Sequence, residues 1–332
     1  MSDSHPYQAL TPDTVIDAVE SVGYLCDARI LTLNSYENRV YQVGIEQVGI
    51  DDVQPLIAKF YRPGRWTNEQ ILEEHAFVQE LHDLEIPCVA PLANAMGHTL
   101  HHFRHFRFAL YPRQGGHAPE LDNLDNLFTL GRFIGRIHAV GKARPFRHRQ
   151  TLGVDLLGGA SCRFLLEHDF IPASLRQAYE SLCNQLLARI DHQFQELQPA
   201  YLRLHGDCHP GNVLWRNDMP HFVDFDDCLS GPAIQDLWML LSGDRSNQLS
   251  QIAEIIDGYS EFCDFAPKEL RLVESMRTLR LMHYAAWLAR RWDDPAFPRN
   301  FPWFNTERYW GQHILELREQ FAALDDQALT LV

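Results

Sequence analysis

The stretch Leu204-His205-Gly206-Asp207-Cys208-His209-Pro210-Gly211-Asn212-Val213-Leu214-Trp215, continued by Phe222-Val223-Asp224-Phe225-Asp226-Asp227, decides how the rest of this chain is read. Residues 201–225 have the pattern of short apolar strands joined by a polar loop, embedded among helical patterns. Polar loops held between buried apolar pieces are where chemistry concentrates. Three oxygen-bearing side chains lie there at informative spacing. Asp207 follows a glycine in a tight loop, Asn212 comes five residues later, and Asp224 stands at the end of a short strand.

These residue types suit one reaction class. Transfer of a phosphoryl group from ATP needs a carboxylate to orient and accept a hydroxyl proton, oxygen ligands for Mg²⁺, and phosphates held in line with the acceptor. Asp207 can serve as the proton acceptor. Asn212 can offer a neutral amide oxygen and Asp224 a charged one, and Mg²⁺ takes few protein oxygens and fills the rest of its shell with water and phosphate. His205, Asp207 and His209, spaced two apart, also admit a transition-metal hydrolase, a reading that leaves Asn212 and Asp224 without a role.

Outward from this core, the first third reads as strands with one helix. Residues 39–45 and 55–61 are short, β-branched and aromatic, and the glycine and acidic residues between them suggest a hairpin. Thr67 followed by Gln70 is a capping-box signature, and Ile71, Phe77, Val78 and Leu81 continue at helical spacing. Residues 103–111 alternate as one strand. Pro112–Pro119, with Gly115 and Gly116, is the candidate hinge. The expected division is therefore 1–112, a nucleotide-gripping part, and 113–332, a mainly helical part with the catalytic loop and acceptor-binding helices. Beyond the hinge Leu127, Leu130, Phe133, Ile134 and Ile137 form an apolar helical stripe, and periodic stretches cover 173–197, 233–260 and 267–291. The aromatic run from Trp287 to Trp310 reads mainly as core, with lining of the acceptor groove as the alternative, and His101, His102 and His105 as an exposed basic hairpin rather than a metal site.

Composition limits the partners. The 332 residues carry 44 acidic against 29 basic side chains, a net charge of −15, so the surface repels nucleic-acid phosphates. The seven cysteines are scattered and never form C-x-x-C, which fits reduced thiols in a cytoplasmic protein. No apolar run reaches bilayer-spanning length, and the N-terminus lacks a signal peptide pattern. Neither a nucleic-acid nor a membrane partner is expected, and the expected state is a monomer.

The run from His205 to Asn212 resembles the H-G-D-x-H-x-x-N motif of the aminoglycoside phosphotransferase and choline kinase group, relatives of the protein kinases. Val223-Asp224-Phe225-Asp226-Asp227 resembles that group's metal-binding segment, the counterpart of the protein-kinase D-F-G. Gly231-Pro232 with Asp236-Leu237-Trp238 resembles its helix start, whose aspartate steadies the catalytic loop. The segments LNSYENRVYQ at 33–42, KFYRP at 59–63, QILEEH at 70–75 and DPAFPRNFPW at 294–303 are similar to a bacterial serine/threonine protein kinase of the group, over almost the whole chain. The resemblance implies an α+β, protein-kinase-like two-lobed fold with a small antiparallel β-rich N-lobe. It implies ATP as donor, with adenine near 109–114, Mg²⁺ on Asn212 and Asp224, and Asp207 as proton acceptor. It makes Lys59 the strand lysine that grips the α- and β-phosphates, with Glu74 as its helix partner and Glu73 as the alternative. Ser35 falls where the phosphate-covering hairpin turns, although the glycine-rich pattern of protein kinases is missing there. The implied acceptor is a protein serine or threonine, of another protein or of the chain itself, in a stress response. Kinases of amino alcohols, sugars or aminoglycosides share the same loop, and an inactive kinase-fold scaffold is a third class.

Overall fold

A computed structural model describes residues 7–46 and 54–331. Along the chain these form α1 (Pro12–Glu20), β1 (Cys26–Leu33), β2 (Arg39–Ile45), β3 (Leu56–Phe60), α2 (Asn68–Asp83), β4 (His101–Phe103), β5 (Phe106–Pro112), α3 (Leu124–Lys142), α4 (Ala160–Glu167), α5 (Ala173–Leu197) and β6 (Leu202–Leu204). They continue with β7 (Val213–Arg216), β8 (Met219–Phe222), β9 (Leu229–Gly231), α6 (Ile234–Leu237), α7 (Arg245–Ser260), α8 (Val273–Arg290), α9 (Ala296–Asn300) and α10 (Glu307–Ala323). None of the described helices is long and apolar enough to cross a membrane.

The chain divides into two compact units. The first runs to Glu120 and takes in Phe146–Arg149 and Pro210–Cys228. Its five-stranded antiparallel sheet has the order β1-β2-β3-β5-β4. Alternation along β3 separates two faces. Ala58 and Phe60 join Val43, Phe106, Phe108 and Leu110 in a core that also contains Val15, Ala18 and Val19 of α1. Lys59 points the other way, paired in register with Val40 and Ala109. On that face Ile71 of α2 packs with Ala109 and Tyr61. The expected capping box starts α2: Thr67 Oγ1 accepts the Gln70 N–H at 3.2 Å, and Gln70 Oε1 accepts the Thr67 N–H at 2.9 Å.

Two expectations change here. Residues 103–111 are not one strand. Arg104 adopts φ +54° and turns the chain between β4 and β5, with Phe103 paired to Phe106. His101 is not part of an exposed basic hairpin: it is buried, with its ring 5.3 Å from that of Phe108, while His102 and His105 are exposed. The connection between β2 and β3 pairs antiparallel strands, but its turn lies outside the described residues.

The second unit comprises Leu121–Pro145, Gln150–His209 and Leu229–Val332. Residues 173–197 form α5 without a break. Residues 233–260 do not form one helix. After α6 and a short 3-10 turn, Gly243 takes φ +77°, and Asp244 caps a new start at α7 by accepting the Asn247 N–H at 3.0 Å. Phe297, Phe301, Phe304 and Trp310 enter the core with Tyr179 and Leu186 of α5. That is the packing role expected of the aromatic run, although Trp303 stays half-exposed. Close approach of α3 to β6 explains Gly141: a Cβ there would lie 2.2 Å from the Arg203 carbonyl oxygen.

Candidate active site

In the first unit Lys59 Nζ lies 2.8 Å from Asp224 Oδ1, 3.1 Å from Asp226 Oδ1 and 3.9 Å from Glu74 Oε1. The Lys59–Glu74 pair expected from the resemblance is thus present but long, and the two aspartates are the nearer partners. Burial would favour loss of the Lys59 proton. Asp224, Asp226 and Glu74 outweigh it and hold the ammonium's pKa well above the ordinary lysine value. Glu74 is pushed toward its neutral form. Burial raises its pKa, resisted by Lys59, and Arg149 Nη1 is no nearer than 4.0 Å.

Asp226 and Asp224 stand two residues apart and face different surroundings. The Asp226 side chain is 3% exposed and Asp224 is 50% exposed, so only Asp224 can offer an oxygen to a ligand. Asp226 is encased by Lys59, by Arg65 Nη1, and by Asn38 Nδ2 at 3.2 Å. Burial opposes its ionisation, but Lys59, Arg65 and Arg149 hold it ionised well below the usual carboxylate range. Arg149 also donates to the carbonyls of Cys228 (2.8 Å) and Asp226, and Arg65 to Asp227. Arg149 is itself fixed by its neighbours. Glu73 Oε1 and Oε2 accept the backbone N–H groups of Arg147, His148 and Arg149 at 2.6–2.7 Å, so Glu73 anchors 147–149 rather than Lys59.

The β7–β8 hairpin explains the spacing from Asn212 to Asp224. Val213 pairs with Phe222, and the Val223 N–H donates to the Asn212 carbonyl at 3.0 Å, so both residues lie at the same end of one hairpin. Asp224 then turns out of the strand in the left-handed region, φ +60°, which Asp tolerates better than most residues. An outward carboxylate and an amide on one hairpin end form a hard-oxygen donor pair, suited to Mg²⁺ completed by water and phosphate. Ser35, half-buried, lies in the connection from β1 to β2, as expected.

The second unit carries Asp207. β6 pairs with β9, and the chain leaves β6 through His205 and Gly206, the latter at φ +87°, where a side chain would be strained. Asp236 of α6 holds this turn. Its Oδ2 accepts the His205 N–H and its Oδ1 the Gly206 N–H, both at 2.8 Å. His138 of α3 places Nε2 3.0 Å from Asp236 Oδ2, with its Nδ1 3.0 Å from the Tyr259 hydroxyl. Gln235 donates to the Gly206 carbonyl at 2.9 Å, and the Asp207 N–H donates to His205 Nδ1 at 3.3 Å. His205 therefore orients the loop. Cys208 is buried, and burial pushes its thiol well above the ordinary cysteine value. That leaves it a small packed residue and no reactive thiolate.

Asp207 Oδ1 accepts from Arg280 Nη1 at 2.6 Å, and Oδ2 lies 3.5 Å from His209 Nε2. Burial alone would raise the Asp207 pKa, but Arg280 and His209 bring it below the usual value. No group of three or more His, Cys, Asp or Glu among the described residues is arranged to hold a metal ion, and His205–Asp207–His209 is accounted for by these other contacts. Sequence reasoning missed Asn38, Arg65, Arg149 and Arg280. Each meets its carboxylate from 73 or more positions away, a separation no local motif records.

A sheet lysine ion-paired with aspartates, a hairpin ending in Asn and Asp, and an aspartate-braced H-G-D turn define a kinase-like phosphotransferase. The chain belongs to the phosphotransferase enzyme family, whose model matches residues 29–273. Over 98% of its length it is 44% identical to stress response kinase A of Escherichia coli strain K12, covering 97% of that protein. It is 43% identical over the same shares to serine/threonine protein kinase RdoA of Salmonella typhimurium. The fold is shared with a solved amicoumacin kinase in complex with AMP-PNP, Ca²⁺ and Ami, with a TM-score of 0.71 at 18% identity, covering 94% of this chain and 95% of that one.

Proposed function

We propose that this phosphotransferase is an ATP- and Mg²⁺-dependent serine/threonine protein kinase that acts in a bacterial stress response in the cytoplasm. One observation carries the choice of acceptor: the 43–44% identity to stress response kinase A and RdoA runs across 98% of the chain, acceptor-side helices included. In this reading Lys59 orients the donor phosphates and Asn212 and Asp224 are the residues that would hold Mg²⁺. The metal supplies neutralisation of charge on the transferred group. Ser35 and the backbone around it cover the phosphates. Asp207 aligns the acceptor hydroxyl and takes its proton. A second reading, a small-molecule kinase, is favoured by the amicoumacin kinase among the structural neighbours.

The test is incubation with γ-labelled ATP and Mg²⁺, alone and with one basic protein (myelin basic protein) and one acidic protein (casein), beside Asp207→Ala. Label on the chain or on an added protein, falling roughly 10²–10⁴-fold in the variant, is the expected result for loss of a general base. An Asp207→Ala protein with full activity would remove Asp207 from the chemistry. Absence of protein label, with turnover of an amino alcohol or aminoglycoside instead, would establish the second reading.

A further inference from the structure

Asp207 has an ionic partner from outside its own loop. Arg280 projects from α8 and donates to Asp207 Oδ1 at 2.6 Å, and its side chain is 45% exposed. His209 lies 3.5 Å from the other carboxylate oxygen. A hydroxyl that is to donate to Asp207 therefore arrives at a carboxylate already neutralised in part by Arg280, and competes with it for the same oxygens. Arg280 is the partner that can yield, because it reaches Asp207 from a solvent-facing helix surface. A released guanidinium remains positive and stays within a few ångströms of the arriving acceptor.

The neighbouring surface of α8 fits the same occupant. Tyr284, one turn further on, is 42% exposed and stacks on Trp287 with ring centroids 5.7 Å apart. Arg291 lies over Trp287 at 5.4 Å. An exposed cation followed one turn on by an exposed aromatic ring is suited to a peptide segment carrying acidic side chains. It is unsuited to an ammonium, which would meet guanidinium at close range.

From this geometry we infer that Arg280 selects the acceptor: it favours a hydroxyl borne beside a carboxylate, as in a serine flanked by Asp or Glu, over one borne beside an ammonium. Arg280 exchanges Asp207 for the acceptor's carboxylate as the hydroxyl reaches Asp207. This rests on the proposed role of Asp207, and it specifies the acceptor class within the protein-kinase reading.

Binding is measured first, because it needs no turnover. Two serine peptides, one flanked by glutamates and one by lysines, are titrated into wild type, Arg280→Gln and Arg280→Glu in the presence of Mg²⁺ and AMP-PNP. Wild type binds the acidic peptide about fivefold or more tightly, a preference that shrinks at high salt as expected for a partly exposed charge. Arg280→Gln loses the preference and Arg280→Glu reverses it. Equal preference in all three proteins, or a wild-type preference for the lysine peptide, overturns the inference.

Turnover follows on the same peptides and on glycerate and ethanolamine. If only the small acceptors are phosphorylated, the protein-kinase reading fails. The inference is then decided by whether glycerate exceeds ethanolamine in an Arg280-dependent way. The pH profile separates selection from mere structure. Besides Arg280 of α8, titratable groups facing Asp207 among the described residues include His209 and His205 on its own loop, with Asp236 of α6 behind that loop. Removing Arg280 leaves burial less opposed, so the acid limb of kcat/KM moves to higher pH in Arg280→Gln and returns with Arg280→Lys. An unmoved limb would show that Arg280 does not govern Asp207.

Discussion

Glu269 is buried beneath the start of α6, where Oε2 accepts the Ile234 N–H at 3.1 Å. Burial pushes its pKa from 4.5 up to about 7, against the pull of the backbone N–H and Lys268. The folded form thus holds this proton more tightly than the unfolded chain, and the associated stability is lost as pH rises from about 4.5 through 7. Glu269→Gln keeps an acceptor for Ile234 without the buried charge. Its unfolding free energy from urea titration should match wild type near pH 4.5 and exceed it at pH 8, by up to about 3 kcal/mol. A variant less stable than wild type at pH 8 would mean that the ionised carboxylate is needed there. Legibility at this scale follows sequence distance. Lys59, Glu74 and Asp224 could be named because the resemblance fixes each on its own short motif, and the structure brings all three together. Arg65, Arg149 and Arg280 resembled ordinary surface arginines, since what distinguishes each is a carboxylate reached only through tertiary packing.

The element that most directly supports the H-G-D turn is α6, four residues long and too short to be stable alone. It is held from three sides: Glu269 at its first N–H groups, His138 of α3 on Asp236, and the turn's own N–H groups on the Asp236 carboxylate. Asp236→Asn should therefore do more than remove a charge. One of its two oxygens becomes an NH₂ group, so a buried backbone donor of His205 or Gly206 faces another donor. A stability loss of about 1–3 kcal/mol is expected, the usual cost of an unsatisfied buried group. Turnover should fall while the KM for ATP stays near wild type, because Lys59, Asn212 and Asp224 are untouched. A variant with wild-type kcat would detach α6 from the catalytic turn. Sequence reading placed this aspartate through the G-P…D-L resemblance, and it placed α2 and α5 through capping and periodicity. It ran 103–111 together as one strand and left the break inside the helical stretch 233–260 unmarked, because apolar spacing can continue across a turn. Arg104 at φ +54° and Gly243 at φ +77° carry breaks that hydrophobic pattern does not encode.

At the scale of the whole molecule, the proposed reaction asks a chain of net charge −15 to bind a polyanion. The proposed place is where cations are concentrated: Lys59, Arg65 and Arg149 converge on Asp226 and leave Asp224 as the outward carboxylate. Asp224 is also the nearest partner of Lys59, so the lysine can turn to phosphate only if another cation takes its place on Asp224. Nucleotide affinity should therefore depend on Mg²⁺, and thermal stability reads this without any phosphoryl transfer. A ligand at 100 times its Kd stabilises by about 2.7 kcal/mol, which for a chain of this length is a Tm rise of roughly 4 °C. Wild type and Asp207→Ala should both show that rise with AMP-PNP and Mg²⁺ in differential scanning fluorimetry, and both should lose most of it when EDTA replaces the metal. Asp224→Ala should show little rise under either condition, because the cation has lost its charged ligand. If Asp224→Ala is stabilised as fully as wild type, the metal is held elsewhere. If Asp207→Ala fails to respond, Asp207 belongs to nucleotide binding rather than to the acceptor.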